Sequence, residues 1–133
     1  MIFGTFDGLH KGHENLFRQA KRLAKGAFLV ASVARDTNVK KIKKISPVFS
    51  EKERLTLLKN YPLIDKAILG GLANHIPHII REKPDIIALG YDQKAYIKGL
   101  KKELKEKGLD VEIKRLKPYK AHIYKNHILK QKK

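Results

Sequence analysis

The sequence contains no cysteine, which excludes a disulfide framework, a thiolate nucleophile and the usual Cys-based zinc sites. The same absence leaves the redox compartment open, so an intracellular, cytoplasmic address is simply the default expectation. No apolar run approaches the ~18 to 20 residues needed to cross a bilayer, and the first residues show no charged segment followed by a hydrophobic stretch and a cleavage site. The expectation is a soluble protein without a membrane partner. Acidic residues are scarce: 13 Asp and Glu stand against 30 Lys and Arg in 133 residues, a formal net charge of +17. Such a field attracts polyanions, whether nucleotides, phosphorylated metabolites, nucleic acid or anionic lipid.

What is present argues for one domain spanning residues 1–133. Hydrophobic residues make up 42% of the chain, enough to fold without staples at this length. Repeats, low-complexity linkers and composition breaks are all lacking. Apolar runs of strand length recur at Met1 to Phe3, Ala27 to Ala34, Lys66 to Leu69 and Asp85 to Leu89, as suits parallel strands covered on both faces. Val111 to Leu116 alternates and predicts a final, more exposed strand.

Helical patterns lie between these runs. Leu16, Phe17, Ala20, Leu23 and Ala24 share one face that Gly26 closes. Ser50 and Glu53 have capping-box spacing ahead of Leu55, Leu57 and Leu58, with Tyr61-Pro62 as the stop. Asn74 is placed to cap a short helix carrying Ile76, Ile79 and Ile80. Ile97, Leu100 and Leu104 line another, ended by Gly108, and Tyr124 to Gln131 predicts a short basic helix. The lysine run from Lys40 to Lys44 reads as a mostly solvated loop in which one or two residues contact phosphate. This alternation implies an α/β fold: a single Rossmann-like, doubly wound domain with a five-stranded parallel sheet, expected order 3-2-1-4-5, and helices on both faces. Ligands of such sheets bind beyond the carboxyl ends of the strands.

Gly4-Thr5-Phe6-Asp7-Gly8-Leu9-His10-Lys11-Gly12-His13 follows the first strand and opens the first helix. Glycines let backbone approach an anion, and a helix amino end offers N–H groups and a positive dipole. Two imidazoles flanking that anion can donate hydrogen bonds to phosphoryl oxygens as their charge grows. Asp7 could orient a side chain, attract a divalent metal or fix the turn through backbone bonds. His75 and His78 are spaced to share a metal, but no third ligand is evident and Pro77 disrupts the geometry, so no metal site is assigned. Lys101 to Lys107 reads as the wet face of a helix with i,i+4 pairs. A nucleic-acid module, suggested by charge alone, lacks RRM, KH or zinc-finger spacing and interleaved aromatics.

The GTFDGLHKGH stretch resembles the signature of the cytidylyltransferase-like (HxGH) nucleotidyltransferases. The likeness extends to Val33-Ala34-Arg35-Asp36, to Lys40, Lys41, Lys43 and Lys44, to Glu53-Arg54, and to Leu89-Gly90-Tyr91-Asp92-Gln93. These segments look most like archaeal-type FAD synthetases (FMN adenylyltransferases) and, next, glycerol-3-phosphate cytidylyltransferase. The resemblance implies transfer of a nucleoside monophosphate from ATP or CTP to a phosphorylated acceptor, with FMN favoured, and Mg²⁺ bound mainly through substrate phosphates. It implies catalytic roles for His10, His13, Lys41, Lys44 and Arg54. Nucleotide contacts would come from Gly4, Thr5, Phe6, Asp7, His10, Gly12, His13, Gly90, Asp92, Tyr119, Asn126 and His127. The family's habit of dimerising makes a homodimer the expected assembly.

One departure concerns the last segment, where related enzymes carry Ser or Thr hydroxyls. Here it reads Ile123-Tyr124-Lys125-Asn126-His127-Ile128, next to His122. Asn126 can still cap a helix, and a protonated His127 favours phosphate. This substitution keeps a catalytically weakened nucleotide-binding relative as an alternative. The first strand is also shorter than the family's, as a misplaced start or a trimmed chain would make it.

Overall fold

Each short apolar run of the sequence becomes one strand of a five-stranded parallel sheet in the order β3-β2-β1-β4-β5. The computed structural model describes residues 1–71, 75–90 and 99–118, apart from the side chains of Ile42 and Lys43. The strands are β1 (Ile2–Gly4), β2 (Val30–Val33), β3 (Lys66–Leu69), β4 (Ile86–Leu89) and β5 (Glu112–Arg115). The helices are α1 (Lys11–Arg22), α2 (Asp36–Lys43), α3 (Glu51–Lys59), α4 (Ile76–Glu82) and α5 (Leu100–Glu106). β1 and β2 run in register, Ile2 opposite Ala31 and Gly4 opposite Val33, so their carboxyl ends finish level. None of these helices is long and apolar enough to cross a membrane.

Successive side chains of a strand point to opposite faces, and two cores follow from that rule. On one face Ile2, Ala31, Val33, Ala67 and Ala88 meet Phe17 and Ala20 of α1 and Leu58 of α3. On the other Phe3, Val30, Ile87 and Leu89 meet Ile76 and Ile79 of α4 and Leu100 and Leu104 of α5. Helices that return the chain toward one edge thus lie on one face, and those that return it toward the other edge lie on the opposite face. The reversal falls between β1 and β4, which pair directly. A crevice at the carboxyl ends of these strands is where this class of sheet takes its ligands.

Local chemistry explains the helix limits. Ser50 accepts from the Glu53 N–H at 3.2 Å while Glu53 accepts from the Ser50 N–H at 3.1 Å, the reciprocal cap expected of that spacing. α1 ends at Arg22 with Leu23 as its C-cap, and Gly26 follows with φ 68. α4 takes His75 as its N-cap with Pro77 in the first turn, where a missing N–H costs nothing. Asn74, Ile97 and the Tyr124 to Gln131 helix lie outside the described residues.

The lysine-rich segment corrects the expectation of a loop: Asp36–Lys43 is helical. Asp36 stands in the first turn, against the positive end of the helix dipole, and buried Val39 anchors the helix to the domain. Lysine is a good helix former, so exposed Lys40 and Lys41 extend the helix rather than oppose it. Lys44, in the left-handed region at φ 60, ends it.

The α4 face of the sheet holds one buried polar pair, with His78 Nε2 3.0 Å from Ser32 Oγ. The rings of His75 and His78 each stand edge-on to Phe3, with centroids 6.0 Å away. Burial, with His75 and Arg81 adding to it, pushes the His78 pKa down to about 4. An unfolded chain protonates this histidine near pH 6.5, so the unfolded state gains protons first as pH falls. The stability that neutral His78 contributes is complete above pH 6.5 and is lost between 6.5 and 4, by about 3 kcal/mol in all. Thermal melts across that range should show the loss, and His78→Gln should flatten it. A slope unchanged in the variant would assign the acid sensitivity elsewhere.

Candidate active site at the amino end of the first helix

The loop leaving β1 is shaped by contacts between its own residues. Phe6 adopts φ 52, strained for a residue with a β-carbon, and buries its ring against His13 and Phe17, at centroid distances of 5.6 and 5.8 Å. Gly4 makes room for that ring, because a β-carbon there would lie 2.8 Å from Phe6 Cζ. Gly8 turns the chain at φ 92. Of the expected nucleotide contacts, Phe6 is therefore a buried floor, and Gly4 and Thr5 are strand-end backbone beside it.

His10 is the N-cap of α1. Its Nδ1 accepts from the Gly12 N–H at 2.9 Å, and His13 Nδ1 accepts from the His10 N–H at 3.3 Å. Two imidazoles thus build a capping box of the kind usually made by Ser and Glu. The spacing follows from this geometry. A β-carbon at Gly12 would lie 2.7 Å from His10 Cε1, so the residue between the histidines must be glycine for the first ring to fold back.

The same bonds fix the tautomers. A neutral imidazole carries one N–H, and with both Nδ1 atoms accepting, the proton of each ring sits on Nε2. The two rings lie 4.0 Å apart and 35° from parallel at the positive end of α1. Burial lowers the pKa of His10 below 6.5. Protonation would set an Nδ1–H donor against the Gly12 donor, so the cap itself selects the neutral ring. The arrangement can donate two hydrogen bonds to an anion at a helix amino end.

Asp7 is engaged by backbone of a different segment. Its Oδ2 accepts from the Val48 N–H and its Oδ1 from the Phe49 N–H, both at 2.8 Å, so it fastens the loop between α2 and α3 to the signature. Of the alternatives open for Asp7, backbone fixation is the one the structure displays.

Arg54, expected among the catalytic groups, is placed differently. Its side chain is fully buried in α3. Nε donates to Phe49 O at 3.0 Å, one terminal nitrogen to Thr5 O at 2.9 Å and Ala34 O at 2.7 Å, and the other to Asp36 Oδ1 at 2.6 Å. So enclosed, the guanidinium ties together the chain leaving β1, the end of β2, the 44–50 loop and α2. The fork geometry, which lysine lacks, is what this position uses.

Lys40 and Lys41 are exposed on α2, and Lys44 is exposed at its end. Gly90 follows β4, and its carbonyl accepts from Arg115 of β5 at 2.7 Å. Arg35 likewise reaches across, donating from Nε to Gly70 O beyond β3 at 2.8 Å. Sequence reasoning gave neither Arg35 nor Arg115 a role, although each directly ends or follows a strand, where this fold concentrates ligand contacts. Gln19 of α1 exchanges hydrogen bonds with the Lys117 backbone, both at 2.9 Å, and so brings residue 117 to the helix that carries the histidines. Asp92, Tyr119, Asn126 and His127 lie outside the described residues, as do Tyr91, Gln93, His122 and Lys125.

With this geometry in hand, comparison with known proteins is specific. The Cytidylyltransferase-like family model matches residues 1–130. The FAD synthase of Korarchaeum cryptofilum is 44% identical over 117 residues, covering 87% of this chain and 79% of that protein. The FAD synthase of Thermoplasma volcanium is 37% identical over 132 residues, covering 99% of this chain and 91% of that protein. Among solved structures, a lipopolysaccharide core biosynthesis protein from Thermoplasma volcanium superposes with a TM-score of 0.82 at 38% identity, covering 90% of this chain and 95% of the other.

Substitutions at two positions separate the framework from the chemistry. Arg54→Met leaves three carbonyls and a carboxylate without their donor and should cost about 3 kcal/mol or more in urea unfolding; Arg54→Lys should recover only part. A stability within about 0.5 kcal/mol of wild type would contradict the hub. Gly12→Ala should cost only about 1 kcal/mol, the value of a cap, while lowering turnover on the order of 10²-fold by displacing His10. Equal turnover in Gly12→Ala and wild type would show that the His10 position is not demanding.

Proposed function

The chain belongs to the cytidylyltransferase-like family and is a nucleotidyltransferase; from that premise we propose that it adenylylates FMN, using ATP and releasing FAD and pyrophosphate. The observation that carries the reading is the imidazole pair at the α1 amino end with both Nδ1 atoms engaged by backbone. Rings so held donate from Nε2, and they lack the accepting nitrogen that a general base requires. That suits a reaction whose catalysis is positioning and charge stabilisation.

In the proposed step, a phosphate oxygen of FMN attacks the α-phosphorus of ATP. The bond from that phosphorus to the α–β bridging oxygen breaks, and pyrophosphate leaves carrying the charge; no covalent enzyme intermediate forms. His10 and His13 stabilise the oxygens on which charge accumulates. Lys41 and Lys44 hold the acceptor phosphate or the departing pyrophosphate, and the +17 field draws both anionic substrates in. By family likeness, Gly90 and Asp92 meet the nucleoside, Asn126 and His127 meet the outer phosphates, and Tyr119 contributes to nucleotide binding.

The described residues do not fit a resident metal. No group of three or more His, Asp or Glu side chains gathers among them, and both oxygens of Asp7 already accept from backbone. In this reading magnesium is carried mainly by the substrate phosphates. The proposed setting is the cytoplasm, with small-molecule substrates rather than nucleic acid and with a homodimer as the assembly.

Purified protein with Mg²⁺, pyrophosphatase and each pairing of ATP or CTP with FMN or glycerol 3-phosphate should yield FAD from ATP and FMN alone, identified by chromatography and mass. His10→Ala and His13→Ala should each lower kcat on the order of 10²-fold, about 3 kcal/mol of transition-state stabilisation. With His10 neutral, kcat should hold steady down to about pH 6.5 and fall only below it. CDP-glycerol as the sole product would move the assignment to the cytidylyl branch. Absence of any product would leave a nucleotide-binding relative without transfer activity.

A further inference from the structure

We propose that Ile45 and Val48, two exposed apolar side chains on the loop joining α2 to α3, form the platform on which the flat ring system of the acceptor lies, its phosphate turned toward the lysines of α2. The inference rests on the FMN reading above and names the part of this chain that would recognise the flavin.

The loop is firmly held. Asp7 accepts from the Val48 and Phe49 N–H groups, Arg54 donates to Phe49 O, and Ser50 caps the helix that follows. It also lies directly on the signature, since a β-carbon at Gly8 would be 3.7 Å from the edge of the Phe49 ring. Yet Val48 is 77% and Ile45 57% exposed. The backbone fastening at residues 48–50 holds Val48 at the surface, and Ile45 lies three residues before it. Apolar groups kept at the surface beside an anion site gain when a ligand's apolar body covers them.

Charge selects the occupant. Lys40, Lys41 and Lys44 are exposed and immediately precede the apolar pair in the chain, so this segment carries cations and hydrocarbon together. A phosphorylated planar aromatic satisfies both. Glycerol 3-phosphate offers only the phosphate, and a second copy of this chain would bring the same lysines against their like.

The test uses Val48→Asp and Ile45→Asp, with Phe28→Asp as the control. Phe28 is exposed as well but precedes the amino end of β2, at the opposite end of the sheet. Readouts are KM for FMN, KM for ATP, and Kd for FMN alone from quenching of flavin fluorescence. Both loop variants should raise the FMN KM and Kd about tenfold or more, leave the ATP KM within about twofold, and melt like wild type. Val48→Leu should keep wild-type affinity, and Phe28→Asp should change nothing. Unaltered FMN binding in both loop variants overturns the platform. So does a change in sedimentation without a change in FMN Kd, which would make the patch a contact between copies. Wild-type protein that neither binds FMN nor makes FAD defeats the FMN reading itself, a result distinguishable from the platform failing in an active enzyme.

Discussion

One buried guanidinium holds the working end of this sheet together. Parallel strands stop abruptly at their carboxyl ends, leaving carbonyls that the ladder no longer satisfies. Arg54 answers that need for Thr5 after β1, Ala34 after β2 and Phe49 in the following loop, and Asp36 neutralises its charge. Taking a cation fully out of water is costly, and it is tolerated here because four of its five N–H groups meet acceptors and its neighbour is an anion. The loop it fixes is the same one that Asp7 grips from the other side. Signature, second strand, lysine helix and connecting loop therefore share one fastening and cannot shift independently.

On that fixed frame the first helix presents its chemistry at its own cap. Helix amino ends require acceptors for N–H groups that lack intrahelical partners. Here the acceptors are the Nδ1 atoms of His10 and His13, and satisfying the helix simultaneously leaves the proton of each neutral ring on Nε2. Orientation, tautomer and neutrality of His10 thus come from secondary structure. Phe6 completes the support from below, with its positive φ exchanged for a buried ring between His13 and Phe17.

Much of this was legible in the sequence because the signals were local. Continuous apolar runs gave the strands, the Ser50 to Glu53 spacing gave the start of α3, and the ten-residue signature in its strand-to-helix setting marked the site. The opaque features depend on tertiary placement. Nothing near Arg54 in the chain reveals that its partners are 5, 18, 20 and 49 residues away, so an inward hub and an outward catalytic cation read alike. Asp7 posed the same ambiguity, settled by two N–H groups about forty residues on. α2 was missed because a short helix rich in lysine, with Val39 as its buried anchor, has no apolar periodicity to separate it from a solvated loop.

The central claim is that backbone capping holds His10 and His13 as paired Nε2–H donors, and histidine ring ¹⁵N NMR tests it without reference to turnover. Long-range ¹H–¹⁵N spectra near pH 7.5, assigned with His10→Gln and His13→Gln variants, report which nitrogen of each ring bears the proton. The account predicts the Nε2–H tautomer for both, with the His10 ring titrating below pH 6.5. An Nδ1–H tautomer at either position would contradict the capping geometry and, with it, the donor role assigned to the pair.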